Sequence, residues 1–182
     1  ESERKVRDLV VIRGFGEPIY PGYKMVGSVD RGGEKDPNVL INGENFYALE
    51  SLLYSFEGKL DAIYIDPPYN TGARDWKYDN DYVDETDAYR HSKWLAFMER
   101  RLILARRLLN PEKSVLIVTI DEKEFLRLGL LLEQVFPDAE VQMVSAVINP
   151  RAGVARPKAF TRVDEYIFFV TLGEATIQTC RL

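Results

Sequence analysis

The tetrad Asp66-Pro67-Pro68-Tyr69 contains the residue types needed to hold an aromatic amine for group transfer to its nitrogen. The lone pair of an amine such as adenine N6 is delocalised into the ring, which makes it a poor nucleophile. The carboxylate of Asp66 and the backbone carbonyl of Pro67 could each accept one N–H, and this would localise the lone pair on nitrogen. The tetrad therefore indicates a loop that activates an amine.

The two prolines also make this loop stiff. A proline fixes its own φ and restricts the residue before it, so the carbonyls of two consecutive prolines point in set directions. Such preorganisation is what stabilisation of a transition state requires, and the ring of Tyr69 could stack on a base that has left the double helix. The alternative is an ordinary turn, since Asp and Pro are common turn residues. The position of the tetrad directly after an apolar run favours the catalytic interpretation.

The elements that must position the tetrad are predicted from apolar spacing. Continuous or alternating apolar runs predict strands over 39–41, 61–65, 114–120, 140–148 and 165–171. Apolar residues at helical spacing predict helices over 46–56, 92–109 and 122–136, the second with Ser92 as its N-cap. The run 61–65 is typical of a strand buried on both faces. Strands that alternate with helices predict an α/β fold with a mostly parallel sheet and helices on both faces.

In such a sheet, ligands bind at the carboxyl ends of the strands. Asp66 and Asp121 both follow apolar strands directly, so both are expected at that edge. Asp121 has two interpretations, a carboxylate at the rim of the pocket or the N-cap of the following helix.

Length and composition are those of one globular domain, with 182 residues, 46% of them hydrophobic and 29% charged. We divide the chain into a Gly- and Pro-rich arm over 1–38, a catalytic core over 39–172 and a tail over 173–182. A single cysteine, Cys180, and the charged start of the chain indicate a cytoplasmic protein. No cluster of residues has the spacing of a zinc site.

The charge distribution is uneven. The formal net charge of −5 argues against a free-standing nucleic-acid binder. Residues 146–163, however, contain no acidic side chain and four basic ones: Arg151, Arg156, Lys158 and Arg162. We expect this basic loop to contact DNA phosphates, although a solvated loop is the alternative.

The tetrad resembles the signature of methyltransferases that act on amino groups of DNA bases. The similarity continues in the segments 70–72, 82–84, 90–95, 97–102 and 118–122, which look like those of modification subunits of type III restriction systems. The resemblance covers about residues 39 to 172. It implies a partial Rossmann-like fold that transfers methyl from S-adenosylmethionine to adenine N6 in double-stranded DNA, with a restriction subunit and a second copy of the chain as partners.

The same resemblance assigns roles to individual residues. Asp66 would bind the target amine and Tyr69 would stack on the base. Glu44 and Asn45 occupy a Gly-Asp-Asn-like turn that contacts the adenosine end of the cofactor, although Glu44 stands where the family usually has Asp. A carboxylate favoured by the helix dipole is an equally good interpretation of Glu44.

One family feature has no match after the tetrad. In the resembled group a Phe-x-Gly-x-Gly cofactor loop follows it, whereas here Gly14-Phe15-Gly16 precedes it within the arm. We therefore expect an N-terminal fragment that is inactive alone. Two alternatives are an N4-cytosine methyltransferase, although that group more often has Ser in place of Asp66, and a non-catalytic DNA-binding or assembly module.

Several other conspicuous residues are expected to be structural. His91 is predicted to be a residue at the start of a helix, because the proton of the amine leaves after the methyl moves and no imidazole is needed. Trp94, Phe97 and Met98 lie on an apolar helical stripe and are predicted to belong to the core.

Overall fold

The computed structural model describes residues 24–28, 38–78, 81–147, 154–156, 159–162, 164–176 and 178, with backbone only for 73–75, 154–156 and 159–162. The helices of this part are α1 (Asn45–Phe56), α2 (Arg90–Leu108) and α3 (Phe125–Val135). Its strands are β1 (Ala62–Ile65), β2 (Ala73–Tyr78), β3 (Asp81–Asp84), β4 (Lys113–Ile120), β5 (Glu140–Val147), β6 (Val154–Arg156), β7 (Ala159–Arg162) and β8 (Asp164–Gly173).

The main sheet has the strand order β1-β4-β8-β5, and its helical connections confirm the α/β class. β1 and β4 are parallel, whereas β8 is antiparallel to both β4 and β5. The sheet is therefore mixed, and the expectation of a mostly parallel sheet was wrong. The helix α3 connects β4 and β5, which run in the same direction, as expected for a helical crossover connection. They are not neighbours, because β8 enters between them.

The three helices lie on one face of the sheet, whereas the sequence predicted helices on both faces. Alternate residues of β4 are buried on the helical side, namely Leu116, Val118 and Ile120. The predicted apolar face of α2 supplies much of this core, including Trp94 and Met98, and α1 packs on α2. The core prediction for Trp94 and Met98 is confirmed, and Phe97 packs at its margin.

Three local predictions were wrong. Residues 39–41 form no strand, and Leu40 is 95% exposed, because no strand in the described residues pairs with this run. β1 is not buried on both faces. It is at the edge of the described sheet, and Tyr64 is 64% exposed on the face without helices. Ser92 is not an N-cap, since α2 begins at Arg90 and Tyr89 occupies the cap position without a side-chain hydrogen bond.

Two hairpins were not predicted. β2 and β3 form an antiparallel pair that inserts Trp76 and Val83 into the core. The acidic residues of β3, Asp81 and Asp84, hid this pair, because Asp is uncommon in strands. β6 and β7 form a second hairpin within the basic loop. Arg156 and Arg162 lie on its strands, and their side chains, like Arg151 and Lys158 as a whole, are outside the described part of the chain.

No helix among the described residues is long and apolar enough to cross a membrane.

Candidate catalytic loop at the sheet edge

Asp66 is the first residue after β1, at the carboxyl edge of the sheet as predicted. Its neighbour across the parallel pair is the end of β4, because Ile65 is in register with Val118. This register places Thr119 beside Asp66, and the Thr119 hydroxyl donates to Asp66 Oδ1 at 2.7 Å. Asp66 remains exposed. The loop thus presents to solvent a carboxylate whose orientation is set by the neighbouring strand.

The prolines of the loop are anchored from α2. Pro67 is buried, and the carbonyl of Pro68 accepts a hydrogen bond of 2.7 Å from the indole nitrogen of Trp94. Trp94 is fully buried, so this donor cannot move without disturbing the core. The core residue of the sequence prediction is therefore also a support for the loop.

Tyr69 is partly buried against the same core. Burial raises the pKa of Tyr69 to about 12; a hydrogen bond with Thr119 lowers it, and the negative charges of Asp66 and Glu165 raise it further. The phenol consequently stays protonated throughout the physiological range. A neutral ring beside Asp66 is suited to stack on a base.

Asn70 reverses the chain after the tetrad, with φ of 56° in the left-handed region that Asn tolerates better than most residues. Its side chain is completely buried. The amide nitrogen donates to Glu124 Oε1 at 2.5 Å, and the amide oxygen accepts from the indole nitrogen of Trp76 at 3.2 Å. The turn is thus fixed by Trp76 of the strand that follows it and by Glu124 at the distant start of α3.

His91 lies in the first turn of α2, as predicted, and its Nδ1 is 2.5 Å from Glu124 Oε1. Arg90 Nε donates to the other ring nitrogen, Nε2, at 3.3 Å. With Nε2 facing the Arg90 donor, Nδ1 is the ring nitrogen that faces the Glu124 carboxylate.

The predicted cofactor residues Glu44 and Asn45 are at the start of α1. Glu44 is the N-cap, and its Oε2 accepts from the backbone nitrogens of Phe46 at 2.8 Å and Tyr47 at 3.3 Å. Arg101 donates to Glu44 Oε1 and to Asn45 Oδ1, both at 2.6 Å. The helix-end interpretation of Glu44 is thus confirmed in geometry. Its side chain is still 49% exposed and keeps lone pairs for a further donor, so it also fits a role in holding a hydroxyl or amine of a cofactor.

Arg101 connects this turn to α2. Its guanidinium lies 3.6 Å from the ring centroid of Phe97, and burial lowers the pKa of Arg101 while the hydrogen bond with Glu44 raises it. The side chain therefore orients Glu44 and Asn45 together from one fixed position.

Asp121 follows β4 and is only 4% exposed. Its Oδ1 accepts from the backbone nitrogen of Lys123 at 2.9 Å, and its carbonyl accepts from Phe125. These bonds close the turn that leads into α3, whose cap position is Glu124. Asp121 is therefore not the N-cap of α3. Its role as a carboxylate at the rim of the pocket, in contact with the cofactor, stays a prediction.

Sequence reasoning missed Thr119, Glu124 and the role of Asn70. Thr119 had a usable signal, because it is the polar residue near the end of an apolar strand whose neighbour ends at the tetrad. Glu124 had none, since a glutamate near a helix start is normally solvated. Only the packing of α3 against α2 shows that its carboxylate is buried.

Residues 60–179, more than half of the chain, match the family described as DNA methylase. The chain belongs to the DNA methylase family. Among the relatives of this chain is the probable type III restriction-modification enzyme HindVI Mod subunit of Haemophilus influenzae. It is 40% identical over 158 residues, which are 84% of this chain and 20% of that protein. Another is the type III restriction-modification enzyme EcoPI Mod subunit of Escherichia phage P1, 32% identical over 72% of this chain and 24% of that protein.

The chain thus spans about a fifth to a quarter of the length of these two relatives. A crystal structure of the M1.HpyAVI-SAM complex superimposes with a TM-score of 0.48 and 15% identity, over 75% of this chain and 55% of that chain.

Proposed function

We propose that this chain carries the catalytic loop of a DNA methyltransferase that transfers methyl from S-adenosylmethionine to adenine N6 in double-stranded DNA. The observation that carries the proposal is the exposed carboxylate of Asp66 at the end of β1, oriented by Thr119. Membership of the DNA methylase family supports it. The names of the relatives, which are type III modification subunits, favour a restriction-modification setting.

The loop can hold an exocyclic amine through two acceptors. Asp66 accepts one N–H, and the carbonyl of Pro67 accepts the other, because the carbonyl of Pro68 is already bonded to Trp94. With both hydrogens directed in this way, the lone pair of the nitrogen projects out of the ring plane. S-adenosylmethionine supplies an electrophilic methyl group when it is bound. The proton that nitrogen loses after methylation already points at Asp66.

Tyr69 forms the platform for the base in this proposal. Its hydroxyl remains protonated, since the pKa of Tyr69 is raised to about 12, so no negative charge opposes the π face of an extruded adenine. Stacking of this kind contributes about 1 to 3 kcal/mol per base. Tyr69 therefore retains the flipped base while Asp66 orients its amine.

Glu44 and Asn45 are the proposed contacts for the adenosine end of the cofactor, held in place by Arg101. A cofactor contact of Asp121 is proposed on weaker grounds, because its carboxylate is buried and already accepts a hydrogen bond within the turn.

We propose that the four basic residues of the loop between β5 and β8 contact DNA phosphates, and this proposal rests on their charge alone. A restriction subunit and a second copy of the chain are proposed partners, and the cytoplasm is the proposed location.

Nucleoside mass spectrometry tests the proposal directly. The full-length protein is incubated with S-adenosylmethionine and duplex DNA, and the DNA is digested to nucleosides. We expect N6-methyladenine. Detection of N4-methylcytosine would show that the methyl acceptor is cytosine and not adenine. Binding of the duplex without any methylated nucleoside would support a non-catalytic DNA-binding module.

A further inference from the structure

We propose that Glu124 is a positioning residue for the catalytic loop, acting through Asn70. The inference rests on the proposed function, because it concerns how that loop is held for transfer. Glu124 has 0% exposure and lies at the start of α3, 54 residues along the chain from Asn70. No contact of Glu124 with a substrate is required.

The burial of Glu124 is compensated by donors from three elements. Asn70 Nδ2 and His91 Nδ1 both lie 2.5 Å from Oε1, and Arg127 is 3.4 Å from Oε2. A buried carboxylate without partners would be costly, whereas one with several donors is a rigid centre. The carboxylate therefore joins the loop after the tetrad, the start of α2 and the first turn of α3 at one point.

Glu124 also fixes the rotamer of Asn70 in a way that an apolar residue could not. The amide nitrogen of Asn70 faces the acceptor Glu124, and its oxygen therefore faces the donor Trp76. If the amide were reversed, its oxygen would face the Glu124 carboxylate, and its NH₂ group would face the indole N–H of Trp76. The carboxylate thus sets both ends of the Asn70 side chain.

The tetrad is consequently held on both sides of Tyr69. On one side the carbonyl of Pro68 is bonded to Trp94, and on the other side Asn70 is bonded to Glu124. The intervening residue is Tyr69, and Asp66 lies two residues before the Pro68 anchor. A displacement of about 1 Å in an active site can lower a rate about a hundredfold. Loss of the Glu124 anchor should therefore reduce transfer without removing a group that touches the base.

The test compares Glu124→Ala, Glu124→Gln and the control Glu133→Ala in the full-length protein. Glu133 is an exposed glutamate on the same helix. Single-turnover methylation should fall about tenfold to a hundredfold in Glu124→Ala, with duplex affinity and the KM for S-adenosylmethionine little changed. Glu124→Gln keeps an oxygen acceptor and should recover most of the rate. Glu133→Ala should match the wild type.

A second measurement does not depend on activity. The two tryptophans of this chain, Trp76 and Trp94, both donate their indole N–H to the loop. Their indole signals in a ¹H–¹⁵N spectrum, assigned with Trp→Phe variants, report the loop directly. We expect both signals to move in Glu124→Ala and to stay in place in Glu133→Ala.

The outcomes separate the two proposals. An unchanged Trp94 signal together with a wild-type transfer rate in folded Glu124→Ala would overturn the positioning role. If the alanine variant does not fold, the same two readouts on Glu124→Asp decide. Its carboxylate lies one methylene farther from Asn70, so the weakened anchor must appear as a partial shift of both indole signals and a lower transfer rate. Absence of methylated nucleosides with wild-type protein refutes the proposed function, while the indole signals still judge the anchor.

Discussion

The turn after the tetrad and the turn at the start of α1 use similar residues in opposite environments. In the first, Asn70 and Glu124 bond to each other and both are completely buried. In the second, Asn45 and Glu44 share the donor Arg101, and Glu44 is half exposed. A hydrogen bond in the interior is strong and its loss leaves an unsatisfied group, whereas water replaces a lost partner at the surface. The buried turn is therefore strict, and the exposed turn can accept a further ligand.

The largest expected effect is at Asp66, the exposed first residue of the tetrad that the buried turn follows. Asp66→Ala should lower single-turnover methylation about a hundredfold to a thousandfold, because it removes a charged acceptor from a preorganised site. Affinity for DNA should change little. The control is Asp61→Ala, an exposed aspartate at the opposite end of β1. Turnover at the wild-type rate in Asp66→Ala would remove Asp66 from the mechanism.

Asn70→Asp tests the strictness of the buried turn with a change of almost no volume. It replaces the donor to Glu124 by a second carboxylate oxygen, so two like charges would face each other without solvent. We expect a loss of about 3 to 5 kcal/mol in the free energy of unfolding at pH 8, measured by urea denaturation. Acidification should reduce the loss as one carboxylate becomes protonated. The exposed Asn42→Asp should be neutral, and equal stability of the two variants would contradict a dry turn.

Glu44→Ala makes the corresponding change in the exposed turn and should cost less. Loss of an N-cap lowers helix stability by about 0.5 to 2 kcal/mol, and an exposed ion pair adds about 1 kcal/mol or less. Glu44→Gln keeps the acceptor for the two backbone amides and should retain most of the stability. If Glu44 also holds the cofactor, both variants should raise the KM for S-adenosylmethionine. An unchanged KM in both would leave Glu44 with its capping role only.

The smallest effect concerns the Tyr69 phenol. Its pKa in the folded protein, about 12, lies above the ordinary value of 10, so the folded state holds this proton more tightly than the unfolded state does. The associated stability is fully present below pH 10 and is lost as the pH rises through 12. Between pH 9 and 11 the unfolding free energy of the wild type should therefore fall more steeply than that of Tyr69→Phe. Parallel curves would show that the phenol is not perturbed.

Local patterns in the sequence determined a large part of the fold and site. The apolar spacing of α2 and the apolar run of β4 predicted both elements, because apolar side chains in such patterns must leave water. The place of Asp66 at the end of a strand followed from the apolar run before it. These properties depend on neighbours in the chain, and a single sequence contains that information.

Tertiary contacts decided the remainder. The antiparallel entry of β8 between β4 and β5 depends on pairing partners far apart in sequence, and no local pattern specifies them. The same holds for the helices on one face and for the buried Glu124, whose residue type alone indicates a solvated surface. Sequence by itself therefore determined which residues could act on an amine, and the packing of α2 and α3 decided how the loop that carries them is held. The physical reason is that the loop's anchors, Trp94, Thr119 and Glu124, come from elements that meet it only in the folded chain.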